Sequence, residues 1–212
     1  MRGVIRFYQG QQDKPYPYEE IMDWTDSRLQ ARKNYINWLF PLENDSETKL
    51  NKSLLYKFKT NKNLRMKVVR ATLRMMSFFG YEITESFEIV AIKPLQRTEE
   101  GIVIGLHNVE NLPKITRILQ FLEKADFRDL SALFFLMLCQ AMKESPEFKH
   151  IVKINLVLQD WIKTQPYLAQ NKYVIEEKVF GEEIASWEKS RSVEEAIIQT
   201  PLPVLVQDAW DE

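Results

Sequence analysis

The fold class predicted for this chain is mostly α: a compact helical bundle-like domain with a small irregular or β-hairpin insertion. Three observations predict it. Only six glycines occur in 212 residues, whereas Leu, Lys, Glu and Gln, which form helices readily, are abundant. Several segments space their apolar residues at the helical period. One region alone, Phe87 to Leu106, carries the short Val- and Ile-rich runs expected of strands.

Along the chain, Phe7 to Pro17 holds Gly10, Pro15 and Pro17 and reads as an extended or turning lead-in. Tyr18 to Trp24 is expected as a short helix. Thr25 and Asp26 are acceptable caps for a second helix running to Phe40, because Pro41 disfavours helical geometry in the residue before it. Along it Leu29, Ile36, Leu39 and Phe40 form one stripe, with Ala31, Tyr35 and Trp38 on another. A helix apolar on two sides belongs in the interior. Lys49 to Phe58 reads as a short basic helix or loop, and Leu64 to Phe79 as a helix ended by Gly80.

"FEIVAIKPL" and "EGIVIGLHN", separated by "QRTEE", are the candidate hairpin. Asn111 then caps a helix with Pro113 in its first turn, burying Ile115, Ile118, Leu119 and Leu122. Phe127 to Met142 is nearly all apolar and is the candidate central helix. Ser145 before Pro146 restarts the chain, and Phe148, Ile151, Ile154, Leu158 and Trp161 give the next helix one stripe, ending before Pro166. Beyond Tyr167 the pattern weakens to a capping box, Ser192 with Glu195, and a Pro-containing apolar strip with Trp210. The expected division is therefore residues 1–168 as a helical domain and 169–212 as an acidic C-terminal extension that packs on it, binds a partner or mediates self-association.

Hydrophobic residues at 45% and charged residues at 28% are the balance of a globular rather than a disordered chain. The single cysteine, Cys139, rules out an intrachain disulfide and suits a reducing compartment; its apolar helix predicts a buried neutral thiol. The start lacks the apolar run of a signal peptide, and no span approaches the roughly 20 apolar residues of a membrane helix. The expected localisation is cytoplasmic, with no membrane span. The sequence specifies no oligomeric state.

Catalytic signals are sparse. His107 and His150 stand 43 positions apart, outside any metal-ligand spacing, and no metal or cofactor is expected. There is no G-x-S-x-G, Walker loop, G-x-G-x-x-G or C-x-x-C. Charge is more informative. Between Lys49 and Tyr81 lie nine basic residues and no acid, whereas from Val174 onward ten acids face three cations. At 100° per residue Lys67, Arg70 and Arg74 fall on one stripe of their helix, with Leu64, Val68, Ala71, Met75 and Phe79 together on another face. That stripe is a candidate anion or partner contact, with a solvated face balanced by the acidic C-terminal third as the plainer reading.

"DSRLQARKNYINWLFP", Asp26 to Pro41, resembles the opioid growth factor receptor family (conserved region), whose pattern runs approximately D-x-x-L-E-x-x-H-x-Y-I-Q-W-L-F-P. "RFYQG", "LRMKVVRATLRMMSFFGYEI" and "HNVENLPKITRILQFL" are similar to further family stretches, in order, so that the resemblance spans roughly Phe7 to Met142. Where the family has Glu, His and Gln, this chain has Gln30, Lys33 and Asn37. The resemblance implies a mainly structural role for Tyr35, Ile36, Trp38, Leu39, Phe40 and Pro41. It also looks like a compact stand-alone relative. The animal receptor that names the family is associated with enkephalin peptide binding and growth control, and no catalytic mechanism comes with it.

The function expected is a non-enzymatic binding module for a peptide, protein or anionic partner. Its candidate binding residues are Lys67, Arg70, Arg74, His107, Asn108 and Arg117, with Thr116 and Arg117 expected to hydrogen-bond the loop around His107 and Asn108. Two alternatives stand beside it: a nucleic-acid-associated regulatory protein using the basic 49–74 region, and an enzyme centred on His107, Asn108 and Arg117.

Overall fold

The computed structural model describes residues 2–11, 16–84, 89–92 and 96–165. The 168/169 boundary, the acidic extension, its capping box and Trp210 lie outside the described residues.

The chain opens with α1 (Arg2–Tyr8), so the expected lead-in is corrected at its start: Phe7 and Tyr8 close a helix, and Gly10 then turns the chain at φ 69°. Both rings are fully buried, and that burial outweighs the local turn signal. α2 (Tyr18–Met22) follows. The single helix expected from Thr25 to Phe40 is instead two, α3 (Asp26–Ala31) and α4 (Tyr35–Leu39). Thr25 caps α3 by accepting the Arg28 N–H, while Arg32 is extended at φ −98°, ψ 144°. The break leaves Arg32, Lys33 and Asn34 exposed and lets Leu29 and Tyr35 each reach complete burial, which one straight rod with two apolar faces would not do.

Tyr35, Ile36, Trp38, Leu39, Phe40 and Pro41 are all buried. Phe7 meets Tyr8, Tyr18 and Trp38 at centroid separations of 5.3, 5.8 and 5.7 Å, and Tyr8 also meets Phe58 at 5.5 Å. Phe121 then touches Phe58 at 5.3 Å and Phe40 at 5.7 Å. Such pairs each contribute about 0.5–1.5 kcal/mol beyond the area they bury. Two of the buried phenols are satisfied through their tips, Tyr8 donating to the Leu39 carbonyl and Tyr18 to that of Lys67, whereas the Tyr35 hydroxyl has no partner among the described residues.

α5 (Lys52–Thr60) and α6 (Lys62–Phe78) are capped by Asn51 and Asn61, whose side chains accept the Leu54 and Leu64 N–H groups. Gly80, at φ 95°, ends α6 as its sequence position predicts. The chain then enters β1 (Tyr81–Ile83), which pairs antiparallel with β2 (Ile89–Ala91) in the register Tyr81↔Ala91, Glu82↔Val90, Ile83↔Ile89. This corrects the expected hairpin. The 89–91 run pairs with the upstream strand, and among the described residues the downstream run contributes a single bridge, Arg97 with Val103. Short apolar runs encode extended backbone without naming their partner.

Two 3-10 turns, Gly105–His107 and Val109–Asn111, lead into α7 (Leu112–Lys124). Asn111 precedes α7 in helical geometry, so its side chain does not cap; Asn108 accepts the Glu110 N–H one turn earlier. α8 (Arg128–Glu144) is buried on most of its circumference and packs against α6 and α7, as expected for a central helix. Cys139 is half-buried at the edge of the core rather than enclosed. Ser145 caps α9 (Pro146–Ile154) with Pro146 in its first turn. The stripe expected to continue to Trp161 breaks at Leu156, φ 53°, and α10 (Leu158–Lys163) starts afresh on α7. Ile154 consequently faces solvent, while Trp161 is buried and donates its indole N–H to Thr116.

Candidate functional site

The basic stripe of α6 lies alongside α2 and the start of α3, and it is not uncompensated. Glu19 takes two cations: Oε1 accepts from Lys67 Nζ at 2.7 Å and Oε2 from Arg70 Nη1 at 2.6 Å. Burial opposes its charge, but the two cations hold its carboxyl below the ordinary carboxylate range. Arg74 Nη2 binds Asp26 Oδ1 at 2.9 Å and the Trp24 carbonyl. The Arg74–Asp26 pair is largely enclosed, whereas the Arg70 side chain is 54 % exposed. One end of the stripe thus carries two cations on one carboxylate, an excess of one positive charge; the other end is neutral.

Beneath this stripe lies a groove of about 380 Å³, lined by Met22 of α2, Arg70, Leu73, Arg74, Met76 and Ser77 of α6, and Glu82 and Ile83 of β1. Its lining is mostly apolar and includes the charged side chains of Arg70, Arg74 and Glu82. Volumes of roughly 300–1,000 Å³ are those in which ligands seat.

His107, Asn108 and Arg117 do not converge. His107 Nε2 lies 2.8 Å from Ser145 Oγ, beside a cavity of about 60 Å³ between β1, β2 and the start of α9. That volume holds little more than a pair of waters, at about 30 Å³ each. Burial pushes the His107 imidazole down, with Glu147 opposing. Asn108 is spent on local backbone, donating to the Val103 carbonyl at 2.8 Å and accepting from Glu110. Arg117 points elsewhere: it binds Asp45 and donates to the Phe40 carbonyl at 3.2 Å. Thr116 donates to the Leu112 carbonyl and accepts from Trp161. The expectation that Thr116 and Arg117 brace the 107–108 loop is therefore corrected. On a helix they project about 100° apart, toward α10 and toward the Pro41 loop.

A polar cluster that sequence reading passed over sits where α3 and α4 meet α7. Lys114 is 7 % exposed; its Nζ donates to the Leu29 carbonyl at 3.2 Å and lies 5.6 and 5.3 Å from the ring centroids of Tyr35 and Phe78. Burial pushes its amine down to about 8, with Glu110 opposing and Lys33 reinforcing. Asn111 Nδ2 donates to Gln30 Oε1 at 2.7 Å and to the Gly105 carbonyl at 2.8 Å. Its backbone partner is close because Gly105, at φ 81°, has no Cβ to strike the Phe78 carbonyl. A signal was present in the sequence: Lys114 precedes Ile118 by four positions and so shares its core-facing stripe. Of the groove residues, Met22, Leu73, Met76, Glu82 and Ile83 carried no mark in the sequence, and neither did Glu19, the counter-charge of Lys67 and Arg70.

Among the described residues no group of His, Cys, Asp or Glu is gathered to hold a metal ion, and no helix is long and apolar enough to cross a membrane. No curated protein and no solved structure matches the chain. The family described as the opioid growth factor receptor (OGFr) conserved region matches residues 4–172, from α1 past the end of α10, and the chain belongs to that family.

Proposed function

We propose that the domain is a non-enzymatic binding module that takes a segment of a protein partner in the groove between α2, α6 and β1. The observation that carries this reading is the groove's construction, a mostly apolar lining beside a half-exposed arginine. Burying an apolar side chain on Met22, Leu73, Met76 and Ile83 supplies affinity, and a carboxylate at Arg70 orients it. The partner segment is accordingly apolar with an adjacent acid. The test is panning of a random-peptide display library on the protein. Enriched peptides should combine Asp or Glu with bulky apolar residues and should lose binding to Leu73→Glu, with circular dichroism unchanged. No enrichment, or peptides held equally by Leu73→Glu, would overturn the reading.

A second reading is favoured by one observation. Lys52 and Tyr56 share an exposed face of α5, and Lys49, Lys52 and Lys57 make no ion pair among the described residues. Phosphate contacts with a stacking tyrosine suit single-stranded nucleic acid. Titration with DNA and RNA at two salt concentrations tests it; an absent or salt-independent response removes it.

A further inference from the structure

We propose that the exposed face of α5 is the seat of this chain's own acidic segment, Glu176 to Glu195, held there within one molecule. Charge divides the chain to suit this. From Val174 onward ten acids and three cations give a net of −7; the remaining 26 cations and 20 acids leave residues 1–173 at +6. The α6 stripe does not supply the open sites, because Glu19 holds Lys67 and Arg70, Asp26 holds Arg74, and Glu82 stands in the same groove. α5 does supply them. At 100° per residue Lys52, Ser53, Tyr56, Lys57, Lys59 and Thr60 share an arc about 160° wide, and all six are exposed.

The carboxylates around α5 are committed elsewhere. Glu43 pairs with Lys124, Asp45 with Arg117, and Asp126 with Lys59 and Arg128. Lys49, Lys52 and Lys57 make no ion pair among the described residues, and against exposed Glu47 they leave a net charge of +2. Tyr56 stands within the arc, 68 % exposed. The segment matches both features in composition: Glu176, Glu177, Glu182, Glu183 and Glu188 are interspersed with Phe180 and Trp187. Carboxylates meet the lysines and an aromatic ring covers Tyr56. Reach is no obstacle. The chain from Gln165 to Glu182 spans up to about 55–60 Å, against roughly 40 Å across a domain of this size. Exposed ion pairs are individually weak, but attachment to the same chain makes docking intramolecular, so a few suffice. The proposal is independent of the groove, and an oligonucleotide approaching α5 must first displace the segment.

The test is cross-linking of the whole chain with a water-soluble carbodiimide, which joins an amine to a carboxylate in contact with it, read by peptide mass spectrometry. The Lys59–Asp126 and Lys124–Glu43 pairs are internal standards. Links from Lys49, Lys52 or Lys57 to Glu176–Glu195 should form at comparable yield and fall severalfold at about 1 M salt, where the screening length is about 3 Å. Mixing 15N-labelled with unlabelled protein separates links within one chain from links between two. Substituting Glu182→Gln, Glu183→Gln and Glu188→Gln together should move the NMR amide resonances of α5 and leave those of Lys67–Arg74 in place. Standards that link while the α5 lysines do not would overturn the proposal. Links joining different copies assign the face to a second molecule and overturn it too. So do α5 resonances that the triple substitution leaves unmoved and oligothymidylate shifts equally in both proteins, which would give the face to nucleic acid.

Discussion

Arg117 clamps Asp45 with two parallel hydrogen bonds, Nη1 to Oδ2 at 2.8 Å and Nη2 to Oδ1 at 2.9 Å, across 72 positions of sequence. The same carboxylate accepts from the Leu42 N–H and the Thr48 hydroxyl, and the same guanidinium reaches the Phe40 carbonyl. The loop after Pro41 is therefore tied to α7 at its polar edge while the aromatic run fills the interior behind it. Breaking a largely buried pair leaves one charge uncompensated, so Arg117→Ala should cost about 3 kcal/mol in urea unfolding.

Asp45 also makes this clamp pH-dependent. Burial opposes its charge, but Arg117, the Leu42 N–H and Thr48 together hold its carboxyl below the ordinary value of 3.8. A depressed folded value stabilises the protein above that ordinary value, and the contribution is lost as pH falls through the lower folded one. Acid titration of Asp45→Asn should show a shallower loss of stability below about pH 4 than the parent.

Lys114 has the opposite sign. Its amine is ordinarily at 10.5 and is pushed down to about 8 by burial, so between these values the unfolded chain binds the more protons. Stability should rise with pH across that window. At neutral pH the buried cation is a cost, and Lys114→Met should stabilise by about 1–3 kcal/mol while flattening the alkaline rise. Thermal melts at pH 7 and pH 10 compare the two; a destabilised methionine variant would show that the bond to the Leu29 carbonyl outweighs desolvation.

Ser145 joins three elements through one hydroxyl. It accepts the Phe148 N–H at 3.1 Å as the cap of α9, lies 2.8 Å from His107 Nε2 and donates to Glu147 at 3.1 Å. All three contacts hold together when His107 carries its proton on Nε2. Ser145→Ala should cost about 1–2 kcal/mol, the loss of a cap, whereas Ser145→Asp should retain most of it and raise the His107 value measured by NMR titration.

Glu19 competes with any acidic ligand for Lys67 and Arg70. Glu19→Gln should therefore tighten binding of an acidic, apolar peptide selected on the parent protein, and the gain should shrink as salt is raised. Fluorescence anisotropy at two ionic strengths measures both effects. Weaker binding in the variant would mean that Glu19 positions the cations rather than blocking them.

The sequence by itself determined the helices that carry their own punctuation. The segments Lys62–Phe78, Leu112–Lys124 and Arg128–Glu144 follow from apolar period, and the stop at Gly80 and the start at Ser145 follow from backbone chemistry within a few residues. It also marked the 35–41 run as interior, because bulky apolar side chains in that density have nowhere else to go. Only the tertiary structure decided where long apolar stretches break, at Arg32 and at Leu156, since burial on two faces is a demand made by neighbours. It alone paired β1 with β2. It alone supplied the counter-charges, 48 to 72 positions away, that turn the α6 stripe and Arg117 from loose cations into fixed ones. Periodicity records which face of an element is apolar; which partner meets the polar face depends on how the elements are brought together.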